Sequence, residues 1–449
     1  MSVNFLTVDE ADTFLAAHPS VIWIDVFMLD TNGIARGKRC RREDLGGVAK
    51  GGISMPSSIF VIGVRGNCVE ETGRLWEVGD PDIRYRVIAG TLKLSGIDGC
   101  THAQAVLAVD GTERQDPAFV LNKEVVKLKQ LGYQACVAVE LEFYLTTATP
   151  DGRFELQTPK GLASNPDFSM TYQFEELDTI NAFINDVYRV AAVQDVPVDA
   201  IIQEAGPGQF EINLKHRTDP SAAALDGLLL KRIIKLVAKT HGMDATFMPK
   251  PHHDWSGSGM HVHTSLLDAD SRNVFAGKPI SDICRFAIGG LQSTMGDCMA
   301  IWSQSGNAYK RYVSKSYVST AAHWGFNNRM VALRIPESDP AATRIEHRVS
   351  GADANPYLVI ACILAGIESG IRNRTQPGQM VDGNAGGVSS PALPIRWGEA
   401  LQLFRESDFI RNAFGSEFQH GYFHLKESDR ASFERIVTAH DHEWYAKLS

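Results

Sequence analysis

The chain has 449 residues, of which 44% are hydrophobic and 22% are charged. This composition is near the average for globular domains, so it excludes a mainly disordered chain and a small scaffold held by disulfides. The 53 acidic and 44 basic residues give a formal net charge of −9. An acidic balance argues against a nucleic-acid-binding protein, because such proteins neutralise phosphates with clustered lysine and arginine.

The cysteines and the chain start bear on the cellular compartment. The seven cysteines are scattered and never form a C-x-x-C pair, which is typical of reduced thiols in a cytosolic protein. The first residues carry acids where a secretory signal needs basic residues and an apolar run. The longest apolar stretch, 357–367, is shorter than the roughly 18 residues that cross a bilayer. We therefore expect a soluble, cytoplasmic protein with no membrane partner.

The N-terminal part of the chain has a β-rich pattern. An apolar run at 21–30 leads into Asn32-Gly33, which predicts a hairpin because both residues tolerate positive φ. A second strand-like run covers 86–94. We predict that residues 1–108 form a small β-rich domain.

Helical patterns mark the remaining part, 109–449. The segment 117–131 has apolar residues at helical spacing, and Gly132 follows as a stop signal. Asn355 precedes Pro356 and a long apolar stretch, which predicts a capped helix that is buried nearly all round.

One strand-like segment, 137–145, has two chemically different faces. Glu140 and Glu142 share one face, whereas the alternate positions form an unbroken apolar row. Two adjacent carboxylates backed by a core repel one another unless a cation lies between them. For this segment alone, an ordinary solvated sheet face is the alternative.

Three further segments alternate polar and apolar residues in the same way. Their polar positions are Glu204 and Glu211 in 203–215, His261, His263 and Ser265 in 257–266, and Arg344, Glu346 and Arg348 in 343–349. If the four segments line one sheet, five carboxylates and an imidazole share a face, namely Glu140, Glu142, Glu204, Glu211, Glu346 and His261.

Such a face requires cations, because like charges at close range are costly in a low-dielectric site. Oxygen ligands with one imidazole suit Mg²⁺ or Mn²⁺, and six ligands are enough for two ions. Arginines, whose guanidinium groups bind carboxylates and phosphates, surround these segments: Arg311, Arg329, Arg334, Arg344 and Arg348. Metals combined with arginines indicate phosphoryl transfer.

Six short motifs in this order resemble the glutamine synthetase family. They are E-x-E at 140–142, EAGPGQFE at 204–211, GSGMHVHTSL at 257–266, NNRMVALR at 327–334, RIEHR at 344–348 and ANPYL at 354–358. The resemblance implies an α+β fold with an N-terminal β-grasp-like domain and a catalytic domain built on a curved antiparallel sheet flanked by helices. It also implies a homo-oligomer, a hexameric ring or a stacked dodecamer, in which a neighbouring N-terminal domain completes each active site.

The resemblance assigns roles to individual residues. It implies one metal held by Glu142, Glu204 and Glu211, and a second, nucleotide-side metal held by Glu140, His261 and Glu346. Arg311, with Gly257 nearby, would hold the α-carboxylate of an acid substrate, and Arg348 its reacting γ-carboxyl end. Arg329 and Arg334 would stabilise the transferring phosphoryl group. The implied ATP contacts are His263, Ser265 and Arg344.

The departures from the family pattern concern the nitrogen substrate. The stretch 55–59 has no acid where glutamine synthetases carry an acidic flap residue, and Tyr317 stands in place of a second acid. An ammonium pocket needs negative charge to offset the desolvation of the cation. Ser256 replaces a usual asparagine, and the stretch 375–410 lacks the tyrosine of the adenylylation switch. This pattern is similar to the γ-glutamylpolyamine (γ-glutamylputrescine) synthetase branch.

We therefore predict a ligase that uses ATP to activate the γ-carboxylate of glutamate as an acyl phosphate and joins it to an organic amine. The amine stays open, since a polyamine would need a carboxylate for its distal ammonium, whereas Tyr317, His323 and Trp324 could instead surround a hydrophobic monoamine. The alternatives are a glutamine synthetase that uses ammonia and a non-catalytic ring-forming homologue. A phosphagen-kinase-like phosphotransferase would need a reactive cysteine, and none is expected near these motifs.

Overall fold

The computed structural model describes residues 4–97, 101–149, 155–165, 169–313, 316–385 and 388–448. Within these residues the chain forms two β-sheets and twelve α-helices. The helices are α1 (Val8–Ala17), α2 (Leu45–Gly51), α3 (Pro117–Gln130), α4 (Phe174–Thr179), α5 (Asn181–Val193), α6 (Pro220–Thr240), α7 (Asp282–Trp302), α8 (Pro356–Asn373), α9 (Trp397–Glu406), α10 (Asp408–Phe414), α11 (Ser416–Glu434) and α12 (Ala439–Tyr445). No helix among the described residues is both long and apolar enough to cross a membrane.

The first sheet belongs to the N-terminal part. Its strands are β1 (Trp23–Leu29), β2 (Ala35–Arg41), β3 (Ile53–Pro56), β4 (Asp82–Val87), β5 (Lys93–Leu94) and β6 (His102–Val109). They follow the order β2-β1-β6-β4-β3, with β5 also paired to β6. The β1–β6 pair is parallel, whereas the other pairs are antiparallel. The division of the chain at residue 108 stays a prediction, since β6 runs one residue past it.

The predicted hairpin is confirmed, but its turn differs from expectation. Gly33 has a φ of +77°, whereas Asn32 is not among the residues with positive φ. The Asp30 carboxylate instead organises the turn, because its Oδ1 accepts hydrogen bonds from the Asn32 and Ile34 N–H groups at 2.9 and 2.8 Å. The turn is therefore held by a side chain rather than by two left-handed residues.

The prediction of one strand over 86–94 is wrong. The chain leaves β4 at Val87 and resumes pairing in β5 only at Lys93. Between them Gly90 has a φ of +81°, and the Thr91 hydroxyl donates to the Ile88 carbonyl at 2.8 Å. Because glycine tolerates this conformation at low cost, the apolar run bends instead of continuing as a strand.

The second sheet carries the predicted polar face. Its strands are β7 (Gln134–Thr147), β8 (Val198–Gln203), β9 (Gln209–Leu214), β10 (Met243–Thr246), β11 (Met260–Leu267), β12 (Trp324–Phe326), β13 (Leu333–Ile335) and β14 (Ile345–His347). They follow the order β12-β13-β14-β11-β7-β9-β8, with β10 paired to β7. The β12–β13 pair is parallel and all other pairs are antiparallel. The predicted α+β architecture is confirmed, with one parallel pair that was not expected.

The apolar row of β7 packs into the main core. Val137, Val139, Leu141 and Phe143 are all at most 1% exposed. The core also contains apolar residues of the two helices predicted from sequence, α3 and α8. Asn355 caps α8 by accepting from the Tyr357 N–H at 3.0 Å, as predicted. Burial of this row fixes the opposite face of β7 toward the site.

Helices α7 and α8 approach each other at glycines. A Cβ added to Gly290 would lie 2.2 Å from the Gly366 carbonyl oxygen, and one added to Gly370 would lie 2.1 Å from the Phe286 carbonyl oxygen. Only glycine permits this close contact between the two backbones. The close packing seats α8 firmly behind the sheet.

The N-terminal hairpin is joined to the catalytic part by a buried polar junction. The Lys426 ammonium, fully buried in α11, donates to Asn32 Oδ1 at 2.6 Å. Asn355 Nδ2 donates to the Asp30 carbonyl at 3.1 Å. A buried cation that loses its partner is costly, so this junction resists separation of the two sheets.

Candidate active site

The strand register brings the predicted ligands of β7, β9 and β11 together. Glu140 lies opposite both His261 and Asn213, and Glu142 lies opposite Glu211. Directly opposed residues of antiparallel strands point to the same face. The central part of the predicted polar face therefore follows from hydrogen-bond register alone.

The remaining ligands reach this face from its two edges. Glu346 in β14 lies opposite His263 of β11 and Arg334 of β13. Glu204 follows β8, and its N–H donates to the Gln209 carbonyl at 2.9 Å, which closes the turn onto β9. The structure thus gathers all six residues that were predicted as metal ligands.

One predicted ligand set forms a compact group. Oxygens of Glu142, Glu204 and Glu211 all lie within 4.8 Å of one another. Glu142 Oε2 accepts from the Gly259 N–H at 2.7 Å, and Glu211 Oε1 accepts from Asn213 Nδ2 at 3.2 Å. These bonds orient the carboxylates while leaving oxygens free to bind a cation.

The second set is close together but includes an additional histidine. His261 Nδ1 lies 3.5 Å from Glu140 and 3.9 Å from Glu346. His263, which the resemblance gives to ATP, also forms a group within 4.8 Å with Glu140 and Glu346, and its Nε2 lies 2.8 Å from Glu140 Oε1. Arg344 Nε donates to His263 Nδ1 at 3.1 Å. Sequence spacing places both histidines on one face but does not distinguish between them.

At one end of the face, burial raises the pKa of the carboxyl groups and so favours their protonated form. Burial raises the pKa of Glu142 to about 8, and the negative charge of Glu204 acts in the same direction. Burial and the charge of Glu140 raise the pKa of Glu211 well above its usual range. The positive charge near this end is too small to keep all of its carboxyl groups ionised. A bound divalent ion would supply the missing positive charge.

At the other end of the face, arginines balance part of the carboxylate charge. Burial opposes the ionisation of Glu346, but the charge of Arg348 is the main influence that outweighs it and lowers the pKa of that carboxyl to about 2. Glu346 pairs with Arg348, and its other oxygen lies 2.9 Å from an Arg334 nitrogen. Burial and the charge of Arg348 lower the pKa of His261, which favours the neutral imidazole that binds metals.

The five predicted arginines are not equivalent. Arg311 is buried in a short 3₁₀ helix, Ala308–Arg311, and donates to the Val349 carbonyl at 3.0 Å. Arg329 is exposed at the rim, where its charge acts on Glu204. Arg334 and Arg348 bond to Glu346, and Arg344 bonds to His263. The five arginines therefore contact different parts of the face.

Two cavities are lined by different residues of this face. One, of about 730 Å³, is lined by residues that include Glu140, His263, Ser265 and Arg344. The other, of about 580 Å³, is lined by the Glu142 group and by Gly257, Arg311, Tyr317, Arg329 and Arg348. Glu140 lines the first cavity, whereas Glu142, Glu204, Glu211 and His261 line the second. The candidate metal ligands therefore lie between two cavities, an arrangement suited to two substrates that react across one centre.

Several expectations about the site need correction. Cys136 lines the first cavity beside Ser265, so a cysteine does lie near the motifs. Burial raises the pKa of its thiol, and a thiol in this state is a poor nucleophile. His323 and Trp324 do not line the second cavity in the described part of the chain. His323 Nε2 lies 3.0 Å from the Val388 carbonyl, and Trp324 Nε1 donates to the Gly378 carbonyl at 2.8 Å.

The structure also places polar residues that the sequence reasoning missed. Asp254 and Lys250 line the second cavity. Asp80 lies against the stretch 55–59, where Ser58 N–H and Ser58 Oγ donate to its two oxygens, each at 2.9 Å. Although the stretch 55–59 contains no acidic residue, Asp80 therefore places a negative charge beside it. No alternating pattern marks these loop residues.

Comparisons with known proteins agree with this geometry. The family model described as "Glutamine synthetase, catalytic domain" matches residues 114–445. Gamma-glutamylputrescine synthetase PuuA of Escherichia coli strain K12 is 38% identical over 446 residues, which cover 98% of this chain and 94% of that protein. The glutamate–isopropylamine ligase of a Pseudomonas species is 33% identical, with 89% of each chain covered.

A solved structure of GmaS in complex with ADP has a TM-score of 0.84 at 22% identity, covering 97% of this chain and 99% of that one, which establishes the likeness of fold. The chain belongs to the glutamine synthetase family. The predicted resemblance is confirmed, as is the class of enzyme, a ligase of this family. The two sequence relatives described above are both named for joining glutamate to an organic amine.

Metal binding offers a direct test of the carboxylate face. Because Glu211 lies buried against two other acids, we expect Glu211→Gln to leave the melting temperature of the metal-free protein unchanged or raised. The same substitution should remove most of the stabilisation by Mn²⁺, which for the wild type is about 2.7 kcal/mol at a metal concentration 100 times Kd. Thermal unfolding with EDTA and with MnCl₂ measures both effects.

The exposed Glu337, changed to Gln, is the matched control. It should keep the full stabilisation by Mn²⁺. An undiminished metal response in Glu211→Gln would contradict the assignment of this face to metal.

Proposed function

We propose that the protein is an ATP-dependent ligase that joins the γ-carboxylate of glutamate to an organic amine through a γ-glutamyl phosphate. The observation that supports this proposal most is the meeting of two cavities at one carboxylate face. One cavity offers arginines for a dicarboxylate, and the other offers histidine and arginine beside a large open space for a nucleotide.

Glutamate fits the cavity of about 580 Å³. Arg311 supplies a buried guanidinium for the α-carboxylate, since its bond to the Val349 carbonyl fixes one nitrogen and leaves the others free. Arg348 lies deeper, next to Glu346, and is placed for the γ-carboxyl end. Gly257 keeps the wall beside Arg311 open, because it carries no side chain.

ATP fits the cavity of about 730 Å³. His263 and Ser265 are two residues apart on β11, on the face that looks into this cavity, and Arg344 is bonded to His263. Arg334, beside Glu346, and Arg329, at the rim of the glutamate cavity, would hold the phosphoryl group that passes between the cavities. Preorganised positive charge of this kind stabilises charge that develops on phosphate oxygens.

The carboxylate groups fit two Mg²⁺ or Mn²⁺ ions, one held by Glu142, Glu204 and Glu211 and the other by Glu140, His261 and Glu346, with His263 close by. Hard oxygen ligands supplemented by one imidazole are the donors that these ions accept. When bound, such ions neutralise phosphate charge and orient the transferring group. The protein's own part is to fix the ligands by strand register and to exclude water from the face.

The proposed reaction has two steps. A γ-carboxylate oxygen of glutamate attacks the terminal phosphorus of ATP, and ADP leaves. The neutral nitrogen of the amine then attacks the acyl carbon, phosphate leaves with the C–O bond electrons, and an amide forms. The proton that the nitrogen loses is balanced on the released phosphate, which leaves as HPO₄²⁻.

The nature of the nitrogen substrate separates this proposal from an ammonia-dependent glutamine synthetase. Tyr317 lines the glutamate cavity where a carboxylate would favour ammonium. The two relatives described above are named for the amines putrescine and isopropylamine. A non-catalytic homologue is disfavoured because every predicted metal ligand is retained and gathered.

We propose further that the chain assembles into a hexameric ring or a stacked dodecamer. Val64, Trp76 and Val78, in the segment that follows the stretch 55–59, are exposed and offer apolar side chains to a neighbouring copy. A cytoplasmic location stays a prediction.

A screen of nitrogen nucleophiles tests the proposed function. With glutamate, MgCl₂ and ATP, we expect amine-dependent release of ADP with organic primary amines to exceed that with ammonium by at least about tenfold in kcat/KM, a difference of about 1.4 kcal/mol. A coupled ADP assay with mass analysis of the γ-glutamyl amide measures it. Ammonium as the best substrate would contradict the proposal, and so would ADP release without amide.

Gly257→Ala tests the glutamate assignment. The added Cβ would lie 3.0 Å from both Arg311 Cγ and the Pro249 carbonyl oxygen, so the arginine must shift. We expect KM for glutamate to rise about tenfold or more, with KM for ATP little changed.

Gly46→Ala is the control, since nothing lies within 4 Å of a Cβ at that position. It should leave both KM values unchanged. Wild-type glutamate kinetics in Gly257→Ala would show that Arg311 does not hold glutamate.

A further inference from the structure

The glutamate cavity contains a carboxylate that the proposed metal sites do not use. Among the described residues that line it, the acids are Glu142, Glu204, Glu211 and Asp254. The three glutamates form the compact buried group on the sheet, whereas Asp254 lies on the loop that leads into β11. The cavity therefore has one acidic group at its outer end, apart from the metal face.

Asp254 is accessible to a ligand. Its side chain is 64% exposed, and its Oδ2 lies 2.8 Å from Nε2 of His253, which is itself on the surface. Lys250, which lines the same cavity, donates its ammonium hydrogen bond to the Trp255 carbonyl rather than to Asp254. Among the described residues no hydrogen bond reaches Oδ1 of Asp254, so this oxygen can accept one from a bound cation.

Aromatic side chains line the same cavity as this carboxylate. The Trp255 ring stacks on Tyr144 at 5.7 Å and 25°, and the Tyr144 hydroxyl donates to the Ser256 carbonyl at 2.7 Å. These contacts fix the loop that carries Asp254. Tyr172 and Tyr317 line the same outer part of the cavity and are largely exposed. A carboxylate next to aromatic faces is the setting in which proteins bind organic ammonium groups.

A pocket for a hydrophobic monoamine was expected to be lined by Tyr317, His323 and Trp324. Two of these three residues lie elsewhere. His323 and Trp324 are occupied by backbone carbonyls of Val388 and Gly378 and do not line the cavity in the described part of the chain. Tyr317 remains, but a tyrosine ring serves a cationic amine as well as an apolar one.

We propose that Asp254, with the ring of Trp255 beside it, binds the distal ammonium of a diamine or polyamine whose other nitrogen attacks the γ-glutamyl group. This inference rests on the proposed function and narrows it to amines with a second cationic group. The protein then selects its substrate by charge at the cavity mouth, whereas the reacting nitrogen is placed by the deeper part of the site.

Paired amines of equal chain length test the inference. With 1,4-diaminobutane and n-butylamine as substrates, the wild type should prefer the diamine in kcat/KM. Asp254→Asn should lower kcat/KM for the diamine by about three- to tenfold, the range for a partly exposed ion pair with an added aromatic contact. It should leave n-butylamine and the KM for glutamate unchanged, and Asp254→Glu should restore much of the preference.

Asp12→Asn, on the exposed surface of α1, controls for the change in net charge. An equal loss for both amines in Asp254→Asn, or an unchanged preference for the diamine, would overturn the inference. A raised KM for glutamate would also overturn it, because Asp254 would then bind the α-ammonium of glutamate. If the wild type forms no amide with either amine, the proposed function itself is contradicted. If it forms amides without a preference that depends on Asp254, only the inference about the distal ammonium is contradicted.

Discussion

Repulsion among buried carboxylates is the constraint on which the rest of this structure depends. Glu140, Glu142, Glu204, Glu211 and Glu346 lie on or beside one sheet face, and burial opposes the ionisation of every one of them. Such a group is costly unless cations balance it. The protein provides the balance unequally. Arg334 and Arg348 bond directly to Glu346, whereas among the described residues the arginines act on Glu142 and Glu204 only through their charge. That inequality is a physical reason to expect a metal ion beside Glu142, Glu204 and Glu211.

The scaffold holds the carboxylates in this unfavourable arrangement by burying their backs. The apolar row of β7 lies in the main core, behind which α7 and α8 are packed at glycine contacts. A one-residue slip of register would move the whole row into the site and the glutamates into the core. Since that slip is excluded by burial of the row, the ligand positions are as rigid as the core itself. Catalytic preorganisation here is a consequence of sheet packing.

Much of the site could be predicted from sequence because the alternation of polar and apolar residues shows which side chains of a strand share a face. Alternation identified Glu140, Glu142, Glu211, His261 and Glu346, and the sheet register then joined them. Both His261 and His263 lie close to Glu140 because of the way β7 and β11 pair. The alternation of polar and apolar residues along one strand does not predict how that strand pairs with another. The bend at Gly90 was not predicted, because the residues on both sides of it continue the apolar pattern of a strand.

The loop residues could not be predicted for a different physical reason. Asp254 lies in a loop without periodicity, and its place in the cavity depends on the stacking of Trp255 on Tyr144, more than 100 residues earlier in the chain. Asp80 approaches Ser58 only because two N-terminal loops meet. His323 and Trp324 were expected at the cavity by their nearness to Tyr317 in sequence, but backbone carbonyls hold them elsewhere.

The central claim is that the carboxylate face passes a phosphoryl group from the nucleotide cavity to glutamate in the other cavity. Glutamate labelled with ¹⁸O in both γ-carboxylate oxygens tests it, with an organic amine and ATP present and the phosphate analysed by mass spectrometry. If the γ-carboxylate is phosphorylated, one ¹⁸O atom must appear in inorganic phosphate for each amide formed, since the C–O bond breaks when nitrogen attacks. Unlabelled phosphate accompanying amide formation would contradict the claim.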